Sequence, residues 1–276
     1  MKNLKDLVAK FDTQNIPKLS HDEMVLWRAQ QYNNEEGDLN KKDGIDCECC
    51  KNKGYIMKVV YQEIYGETGT VLVACKCMAQ RKLARKAINS GLGEYLNKRS
   101  SDYIVTEEWQ KNCFSKMVNF CKNEATSDKW FIACGQSGSG KTLLCSIIAN
   151  HMLYNLNKSV VYITWTDFIS KLKRDIMGDH STSVSEYLDY IKKCEVLFID
   201  ELLKKYTEAD LKYIVEIINY RYTNNLKTII TSERTIDELL DIDEATFGRV
   251  IEKCDIYILN IEKDRKKNYR LKNLYN

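Results

Sequence analysis

The chain has 276 residues, of which 44% are hydrophobic and 29% charged, with a mean hydropathy of −0.44 and a formal net charge of +3. These values exclude a membrane-spanning or disordered chain and leave room for one large and one small domain. A net charge this small does not by itself indicate a polyanionic partner. The first residues lack the apolar core of a signal peptide, so we expect a cytoplasmic protein, with no membrane contact, whose eleven cysteines are reduced.

The first 35 residues predict two short helices. In the first helix, apolar residues recur at helical spacing, at Leu4, Leu7, Val8 and Phe11. Pro17 ends this pattern. In the second helix, Ser20 has the position of an N-cap and Glu23 completes a capping box. The chain therefore opens with a small helical module.

A cluster of cysteines follows the helical module. Two cysteines precede and two follow a predicted β-hairpin within residues 55–74: Cys47 and Cys50, then Cys75 and Cys77. A hairpin returns its far end to its start, so the two pairs would meet where four thiolates can surround a tetrahedral Zn²⁺. Cys49 is then a spare thiol that could replace one of the four. A cluster of free thiols is the alternative, and no open position suggests a catalytic metal.

Residues 78–88 predict a helix with a basic stripe at Arg81, Lys82, Arg85 and Lys86. The stripe could follow a phosphate backbone, or it could be an ordinary solvated face. Glycine and serine then mark residues 89–106 as a linker. We accordingly predict an N-terminal helical and zinc-binding domain over residues 1–88 and a second domain over residues 107–276.

The most specific motif of the chain is a phosphate-binding loop. It comprises the residues Gly135, Gln136, Ser137, Gly138, Ser139, Gly140, Lys141 and Thr142. It follows a buried strand-like run, residues 130–134, and opens a helix over residues 143–153, which is the context that a P-loop requires. The backbone N–H groups would cradle phosphates, Lys141 would reach the β- and γ-phosphates, and Thr142 would bind Mg²⁺. A chance glycine-rich turn is the alternative.

The second half of the chain alternates strands and helices. Apolar, β-branched runs occur at residues 130–134, 160–164, 196–201, 228–232 and 255–259. Continuous apolar strands separated by helices indicate a parallel sheet that is covered on both faces. The predicted fold is therefore an α/β P-loop domain with a parallel five-stranded sheet.

Two of these strands end in residues suited to nucleotide hydrolysis. Asp200 and Glu201 end a strand that we place beside the P-loop strand, where Asp200 could hold Mg²⁺ and Glu201 could orient the attacking water. Capping of the next helix is the alternative for both residues. Thr231 and Ser232 end the following strand and could sense the γ-phosphate, although either could simply cap a helix.

Two arginines could complete such a site. Arg249 lies on an amphipathic segment before the last strand, and Arg270 follows that strand. A guanidinium stabilises the charge that develops on a transferring phosphoryl group, and it can be supplied by a neighbouring subunit.

Taken in order, these motifs resemble the AAA+ domain of DnaC/DnaI-type replicative helicase loaders. The resemblance covers residues 85–276 and is carried by residues 135–142, 197–202, 217–222, 228–232, 248–250 and 269–270. The cysteine cluster extends it, because phage-type loaders of this family also carry an N-terminal zinc-binding domain that contacts the helicase. IstB-type transposition helpers share most of the same pattern.

The resemblance implies a role for each residue singled out above. It implies an ATP and Mg²⁺ site with Lys141 and Thr142 in the P-loop, Asp200 and Glu201 as the magnesium and water carboxylates, Thr231 or Ser232 as sensor 1, Arg249 as the arginine finger, and Arg270 as sensor 2. Glu233 and Lys253 depart from the family pattern, since Asn and a second Arg are usual there. The family also binds single-stranded DNA through helices that correspond to residues 167–193, which here contain Phe168, Lys171, Lys173, Arg174, Lys192 and Lys193.

The resulting hypothesis is an ATPase that loads a replicative DnaB-type helicase, of phage or prophage origin. It would use ATP, Mg²⁺ and Zn²⁺, bind single-stranded DNA and self-associate through its AAA+ domains. The alternative within the same fold is an IstB-like transposition helper ATPase that acts with a transposase on duplex DNA. A nucleotide-dependent adaptor without turnover and a small-molecule kinase are further possibilities, and Glu201 argues against both.

Overall fold

The computed structural model describes residues 19–63, 66–177 and 181–275. The chain divides into two compact units, Met1–Lys82 and Leu83–Asn276. The first predicted helix, over Leu4 to Phe11, lies outside the described residues. Within those residues, none of the helices combines the length and the apolar character needed to cross a bilayer.

The first unit combines short helices with a β-hairpin. Its elements are α1 (His21–Asn34), α2 (Asn40–Asp43), β1 (Tyr55–Gln62), β2 (Glu67–Ala74) and the beginning of α3 (Cys77–Asn89). The capping box of α1 is confirmed, because the Glu23 N–H donates to Ser20 Oγ at 3.3 Å and the Ser20 N–H donates to Glu23 Oε2 at 2.8 Å. β1 and β2 pair antiparallel, which confirms the hairpin. The Cys75 N–H donates to the Gly54 carbonyl at 2.8 Å, so the hairpin returns the chain to its start.

Few apolar side chains are buried in the first unit. Val25 and Ala29 on α1 are buried, and the other buried apolar residues described there are Cys50, Cys75 and Cys77. Many large apolar side chains are instead exposed: Met24, Leu26, Trp27, Tyr55, Val59, Tyr61, Val71, Leu72 and Val73.

The second unit is built on five parallel strands. They are β3 (Phe131–Gly135), β4 (Val160–Thr164), β5 (Val196–Asp200), β6 (Lys227–Thr231) and β7 (Ile258–Ile261), in the order β4-β5-β6-β3-β7. The helices described with them are α4 (Glu108–Asn119), α5 (Lys141–Asn150), α6 (Trp165–Met177), α7 (Ser181–Lys193), α8 (Glu208–Thr223), α9 (Ile236–Leu240), α10 (Glu244–Cys254) and α11 (Lys272–Tyr275). The predicted five-stranded parallel sheet is confirmed.

Apolar side chains cover both faces of this sheet. On β5, Leu197 and Ile199 belong to one hydrophobic core, whereas Val196 and Phe198 belong to the core on the opposite face. Successive residues of a strand point to opposite faces, so a strand with two covered faces must be apolar throughout. Burial of each such side chain stabilises the fold by about 1.5–3 kcal/mol.

The order of the strands corrects one prediction. β6 lies between β3 and β5, so the strand that ends in Asp200 is not beside the P-loop strand. Apolar runs reveal parallel strands but not their order in the sheet. As a consequence, the carboxyl end of β6, with Thr231, lies between the carboxyl ends of β3 and β5.

Residues 89–106, where the sequence predicts a linker, pack within the second unit. Leu92 and Tyr103 are buried in the core that contains Phe198. Asn150 Nδ2 donates to the carbonyls of Tyr95 and Lys98, at 2.7 and 3.0 Å. This segment therefore contributes apolar side chains to the unit that holds the P-loop.

Candidate functional site

The P-loop connects β3 to the N-terminus of α5. Gly135, Gly138 and Gly140 have φ values of +99°, +70° and +86°. Residues that carry a Cβ atom rarely adopt this backbone conformation. A Cβ at Gly135 would lie 1.8 Å from the carbonyl oxygen of Ile261, on the neighbouring strand β7. The loop therefore needs glycine both for its conformation and for its close approach to β7.

Lys141 is buried at the beginning of α5, with 6% of its surface exposed. Its Nζ donates to the Gly135 carbonyl at 2.9 Å and to the Gln136 carbonyl at 2.5 Å. Ser139 Oγ also donates to the Gln136 carbonyl, at 2.7 Å. Burial lowers the pKa of Lys141. The loop thus holds one cation beside backbone N–H groups at a helix N-terminus, an arrangement that suits phosphate.

Three hydroxyl groups surround the carboxylate of Asp200, which is 4% exposed. Thr142 Oγ1 donates to Oδ1 at 2.9 Å, and the Tyr162 hydroxyl donates to Oδ2 at 2.9 Å. Thr231 Oγ1 also donates to Oδ1. Burial and the nearby Asp200 raise the pKa of Tyr162. The adjacent hydroxyl of Thr142 and carboxylate of Asp200 are hard oxygen donors, and they fit the preference of Mg²⁺.

Glu201 follows β5 in a left-handed backbone conformation, with φ of +55°. Its N–H donates to Thr231 Oγ1 at 2.9 Å, so one threonine hydroxyl contacts both residues of the acidic pair. Lys204 Nζ lies 2.7 Å from Glu201 Oε1, and this contact raises the pKa of Lys204. The carboxylate of Glu201 is therefore held by a neighbouring ammonium group.

The two candidate sensor residues, Thr231 at the end of β6 and Ser232 directly after it, make different contacts. Thr231 bonds to Asp200 and Glu201 as described, whereas Ser232 Oγ donates to the Leu202 carbonyl at 2.8 Å and accepts the Arg234 N–H at 3.1 Å. Ser232 is fully buried and fixes the loop after β5. The sequence did not distinguish the two hydroxyls, but their contacts do.

Many of these residues line one cavity of 340 Å³. Its wall contains residues of the P-loop and of both carboxyl strand ends: Ser137, Gly138, Gly140, Lys141, Thr142, Glu201, Thr231 and Ser232. Sequence reasoning missed another part of the wall, which includes Tyr95, Tyr103 and Ile104. No motif marks these three residues, because they lie in the segment whose glycines and serines suggested a linker.

The two candidate arginines lie differently with respect to this cavity. Arg270 lines it, and the neighbouring Tyr269 N–H donates to the Gly138 carbonyl of the P-loop at 3.0 Å. Arg249, on α10, is not among the lining residues, and its Nη1 donates to Asn219 Oδ1 at 2.8 Å. The described part of the chain thus brings Arg270, but not Arg249, to the candidate site.

The first unit brings the four predicted cysteines together. The sulfur atoms of Cys47, Cys50, Cys75 and Cys77 all lie within 4.8 Å of one another. The Cys47–Cys75 and Cys50–Cys77 sulfur distances are 3.8 and 3.6 Å. Tetrahedral zinc with bonds of about 2.3 Å places its sulfurs about 3.8 Å apart, so the four thiols fit this metal. Cys49 is exposed and is not part of the cluster.

Arg81 corrects the prediction of a basic stripe on α3. Its side chain is 0% exposed, and its Nη1 lies 2.5 Å from Asp43 Oδ1. Its Nη2 donates to Asn52 Oδ1 at 2.9 Å, and its Nε donates to Cys77 Sγ at 3.3 Å. Arg81 therefore cross-links three parts of the first unit around the cysteine cluster and is not available to a nucleic acid.

The helices α6 and α7, to which the sequence resemblance assigns DNA binding, offer fewer contacts than their sequence suggests. Phe168 is 1% exposed and packs in the core, so it cannot stack on a base. Several of the lysines are paired within the chain: Lys173 with Asp210, Lys192 with Asp189 and Glu216, and Lys193 with Asp189. Lys171 lies 3.6 Å from the centre of the Tyr187 ring.

Comparison with known families places this geometry in context. Residues 131–251, which run from the P-loop strand to α10, match the model of the ATPase family associated with various cellular activities (AAA). This part of the chain is therefore an AAA domain. The match includes every carboxylate, hydroxyl and glycine discussed above for the nucleotide site, whereas Arg270 and the cysteine cluster lie outside it.

Individual relatives extend the similarity beyond the AAA domain. The protein YqaM of Bacillus subtilis is 32% identical over 211 residues, which span 71% of this chain and 66% of that protein. The phage-like element PBSX protein XkdC of the same species is 29% identical over 79% of this chain and 82% of its own length. The replicative helicase loader DnaC of Buchnera aphidicola is 25% identical over 87% of both chains. The chain is thus homologous to DnaC-type helicase loaders.

The crystal structure of DnaI agrees with this relationship. It superposes with a TM-score of 0.50 at 25% identity, over 62% of this chain and 93% of that one. The second unit therefore has the AAA+ fold of the DnaC and DnaI loaders.

Proposed function

We propose that this protein is an ATP-dependent loader of a replicative DNA helicase. The observation that carries the proposal is the similarity to a DnaC helicase loader over 87% of both chains. The cavity beside the P-loop and the cysteine cluster support it, because they supply a nucleotide site and a separate structural module. The similarity to XkdC supports a phage or prophage origin.

In the proposed reaction, ATP binds in the cavity with its phosphates on the P-loop. Lys141 neutralises the β- and γ-phosphates, and Thr142 and Asp200 hold Mg²⁺, which offsets the negative charge of the phosphates. Glu201 orients a water molecule and accepts its proton as the oxygen attacks the γ-phosphorus. The bond from the γ-phosphorus to the bridging oxygen breaks, and ADP and phosphate form.

Self-association completes the site in this proposal. Arg249 lies outside the cavity of its own chain, so it would act as an arginine finger on the γ-phosphate of a neighbouring subunit. Arg270 lines the cavity and would act within its own subunit. Single-stranded DNA would bind along α6 and α7. Among the basic side chains of these helices, Lys171 and Arg174 have the fewest described contacts with acidic side chains.

The first unit would hold the helicase. Apolar side chains such as Trp27, Tyr61 and Leu72 are exposed there, and exposed apolar surface is typical of protein interaction sites. Zinc bound by the four cysteines would fix the hairpin that presents Tyr61 and Leu72.

A co-purification experiment with the replicative helicase of the host tests the proposal. We expect the wild-type protein to capture the helicase when ATP is present. A variant with Cys47→Ser and Cys50→Ser should lose capture, whereas Cys49→Ser should retain it because this exposed thiol is outside the cluster. Glu201→Gln should capture the helicase but hydrolyse ATP at least about 100-fold more slowly.

Failure of the wild-type protein to capture the helicase, with or without ATP, would refute the loader proposal. Capture of a transposase together with duplex DNA would then favour the transposition helper.

A further inference from the structure

Glu233 places a carboxylate in the wall of the nucleotide cavity. It is the second residue after β6, which ends at Thr231, and it is partly buried. Its Oε1 accepts a hydrogen bond from Ser137 Oγ, in the middle of the P-loop, at 2.9 Å. The negatively charged side chain of Glu233 therefore accepts a hydrogen bond from a P-loop hydroxyl that could otherwise donate to a phosphate.

Lys204 links this carboxylate to the catalytic one. Its Nζ lies 2.7 Å from Glu201 Oε1 and 3.4 Å from Glu233 Oε1. One ammonium group thus faces two carboxylates, and its charge can offset only one of them. The group of three side chains carries a net negative charge at the edge of the cavity.

Glu233 is ionised at neutral pH. Burial opposes its ionisation, but the hydrogen bond from Ser137 and the charge of Lys204 outweigh burial and lower its pKa. Its charge also reaches the P-loop lysine. Burial lowers the pKa of Lys141, and the negative charge of Glu233 opposes this effect.

We propose that Glu233 is a specificity-determining residue that weakens the preference of this site for nucleoside triphosphate over diphosphate. The inference rests on the proposed function, because it assumes that a nucleotide binds in this cavity. ATP and ADP differ by the γ-phosphate, whose additional negative charge would lie in the cavity that Glu233 lines. Repulsion between this charge and the carboxylate would reduce the affinity for ATP, whereas ADP, which lacks the γ-phosphate, would be affected less.

Titrations with two nucleotides test the proposal. The affinities for ADP and for β,γ-methylene-ATP, which cannot be hydrolysed at this bond, are measured by calorimetry with Mg²⁺ present. In Glu233→Gln, the amide keeps an acceptor for Ser137 but loses the charge. We expect its affinity for the triphosphate analogue to rise about tenfold and its affinity for ADP to change less than about twofold.

Two further variants separate charge from structure. Glu233→Asp keeps the charge, and its ratio of the two affinities should stay within about twofold of the wild-type ratio. Glu262→Gln changes the net charge of the chain equally, but Glu262 pairs with Lys267 on the surface and does not line the cavity. It should leave both affinities unchanged.

The outcomes distinguish this inference from the proposed function. If the wild-type protein binds both nucleotides and Glu233→Gln does not change their ratio, the inference is wrong and the proposed ATP site stands. An equal rise in Glu233→Asp would also contradict it, because the charge would then not be the cause. If the wild-type protein binds neither nucleotide, the proposed function fails and the inference fails with it.

Discussion

The two units of this protein are stabilised in different ways. The second unit has a hydrophobic core on each face of a five-stranded sheet, with fully buried aromatic side chains such as Trp130 and Phe198. The first unit contains no comparable core among its described residues. Its buried groups are mainly three cysteines, the pair formed by Arg81 and Asp43, and two residues of α1.

The difference shows how size determines the means of stabilisation. In a unit of fewer than about 70–80 residues, a single hydrophobic core rarely supplies more than about 3–5 kcal/mol, and many small units add a metal or a covalent cross-link. The larger unit buries enough to fold on its own. The second unit should tolerate the loss of a single polar interaction because its hydrophobic core remains. The first unit should instead depend on its metal site and its buried ion pair for stability.

Removal of the metal should have the largest effect. Zinc contributes about 10–16 kcal/mol in small structural sites, and here it would hold the chain before and after the hairpin together. We expect a strong chelator, or Cys47→Ser combined with Cys50→Ser, to unfold the first unit and to leave the second intact. Hydrogen exchange followed by mass spectrometry should show that β1 and β2 lose protection while β3 to β7 keep it.

Cys49→Ser is the matched control and should retain both the zinc content and the protection of the hairpin. A first unit that stays protected after the metal has been removed would contradict the comparison, since its few buried side chains would then suffice.

Loss of the buried guanidinium should have the next largest effect. Arg81→Met removes the guanidinium that pairs with the buried Asp43 carboxylate, and breaking a buried ion pair in this way costs about 3–5 kcal/mol. Because folding of the first unit and zinc binding are coupled, the affinity for zinc should fall at least about a hundredfold in competition with a chromophoric chelator.

Arg85→Met removes the same charge from an exposed position of α3, and it should change the affinity for zinc less than about twofold. Equal effects of the two substitutions would mean that the positive charge of the helix matters and that burial of Arg81 does not.

A smaller, pH-dependent effect should be confined to the second unit. Lys227, at the beginning of β6, is 7% exposed, and burial lowers its pKa to about 8 from 10.5. Its Nζ donates to the carbonyls of Glu124 and Lys129 at 2.7 and 2.6 Å. Between these two pKa values the unfolded chain binds more protons than the folded chain, so the free energy of unfolding rises with pH.

From pH 7 to pH 9, the wild-type protein should gain about 1 kcal/mol relative to Lys227→Met. Denaturation by urea, followed by the fluorescence of the buried Trp130 and Trp165, measures both proteins. A constant difference between them over this range would show that Lys227 keeps the same protonation in both states.

Sequence reasoning succeeded where function depends on residues that are close in the chain. The capping box of Ser20 and Glu23 and the P-loop follow from short spacings, whereas the four cysteines come together because a hairpin joins the two pairs. The apolar runs of the second half likewise predicted a parallel sheet. Local spacing is visible in one sequence, because backbone geometry converts it directly into position.

Sequence reasoning failed where the position of a residue depends on partners that are far away in the chain. The helical spacing of Arg81 suggested a surface residue, but its partner Asp43 is 38 residues earlier. Phe168 suggested a base-stacking residue, but it is packed between other aromatic rings. The contact of Lys204 with Glu233 depends on the order of the strands, which apolar patterns do not reveal.

The left-handed backbone of Glu201 has a consequence for the history of this protein. A non-glycine residue in that conformation costs about 1–2 kcal/mol, which glycine at the same position would not. Under the proposed role of Glu201 in ATP hydrolysis, selection for stability and selection for turnover therefore favour different residues at this one position. A lineage released from the need to hydrolyse ATP should lose Glu201 early, and a laboratory search for thermostable variants should select inactive proteins unless turnover is also required.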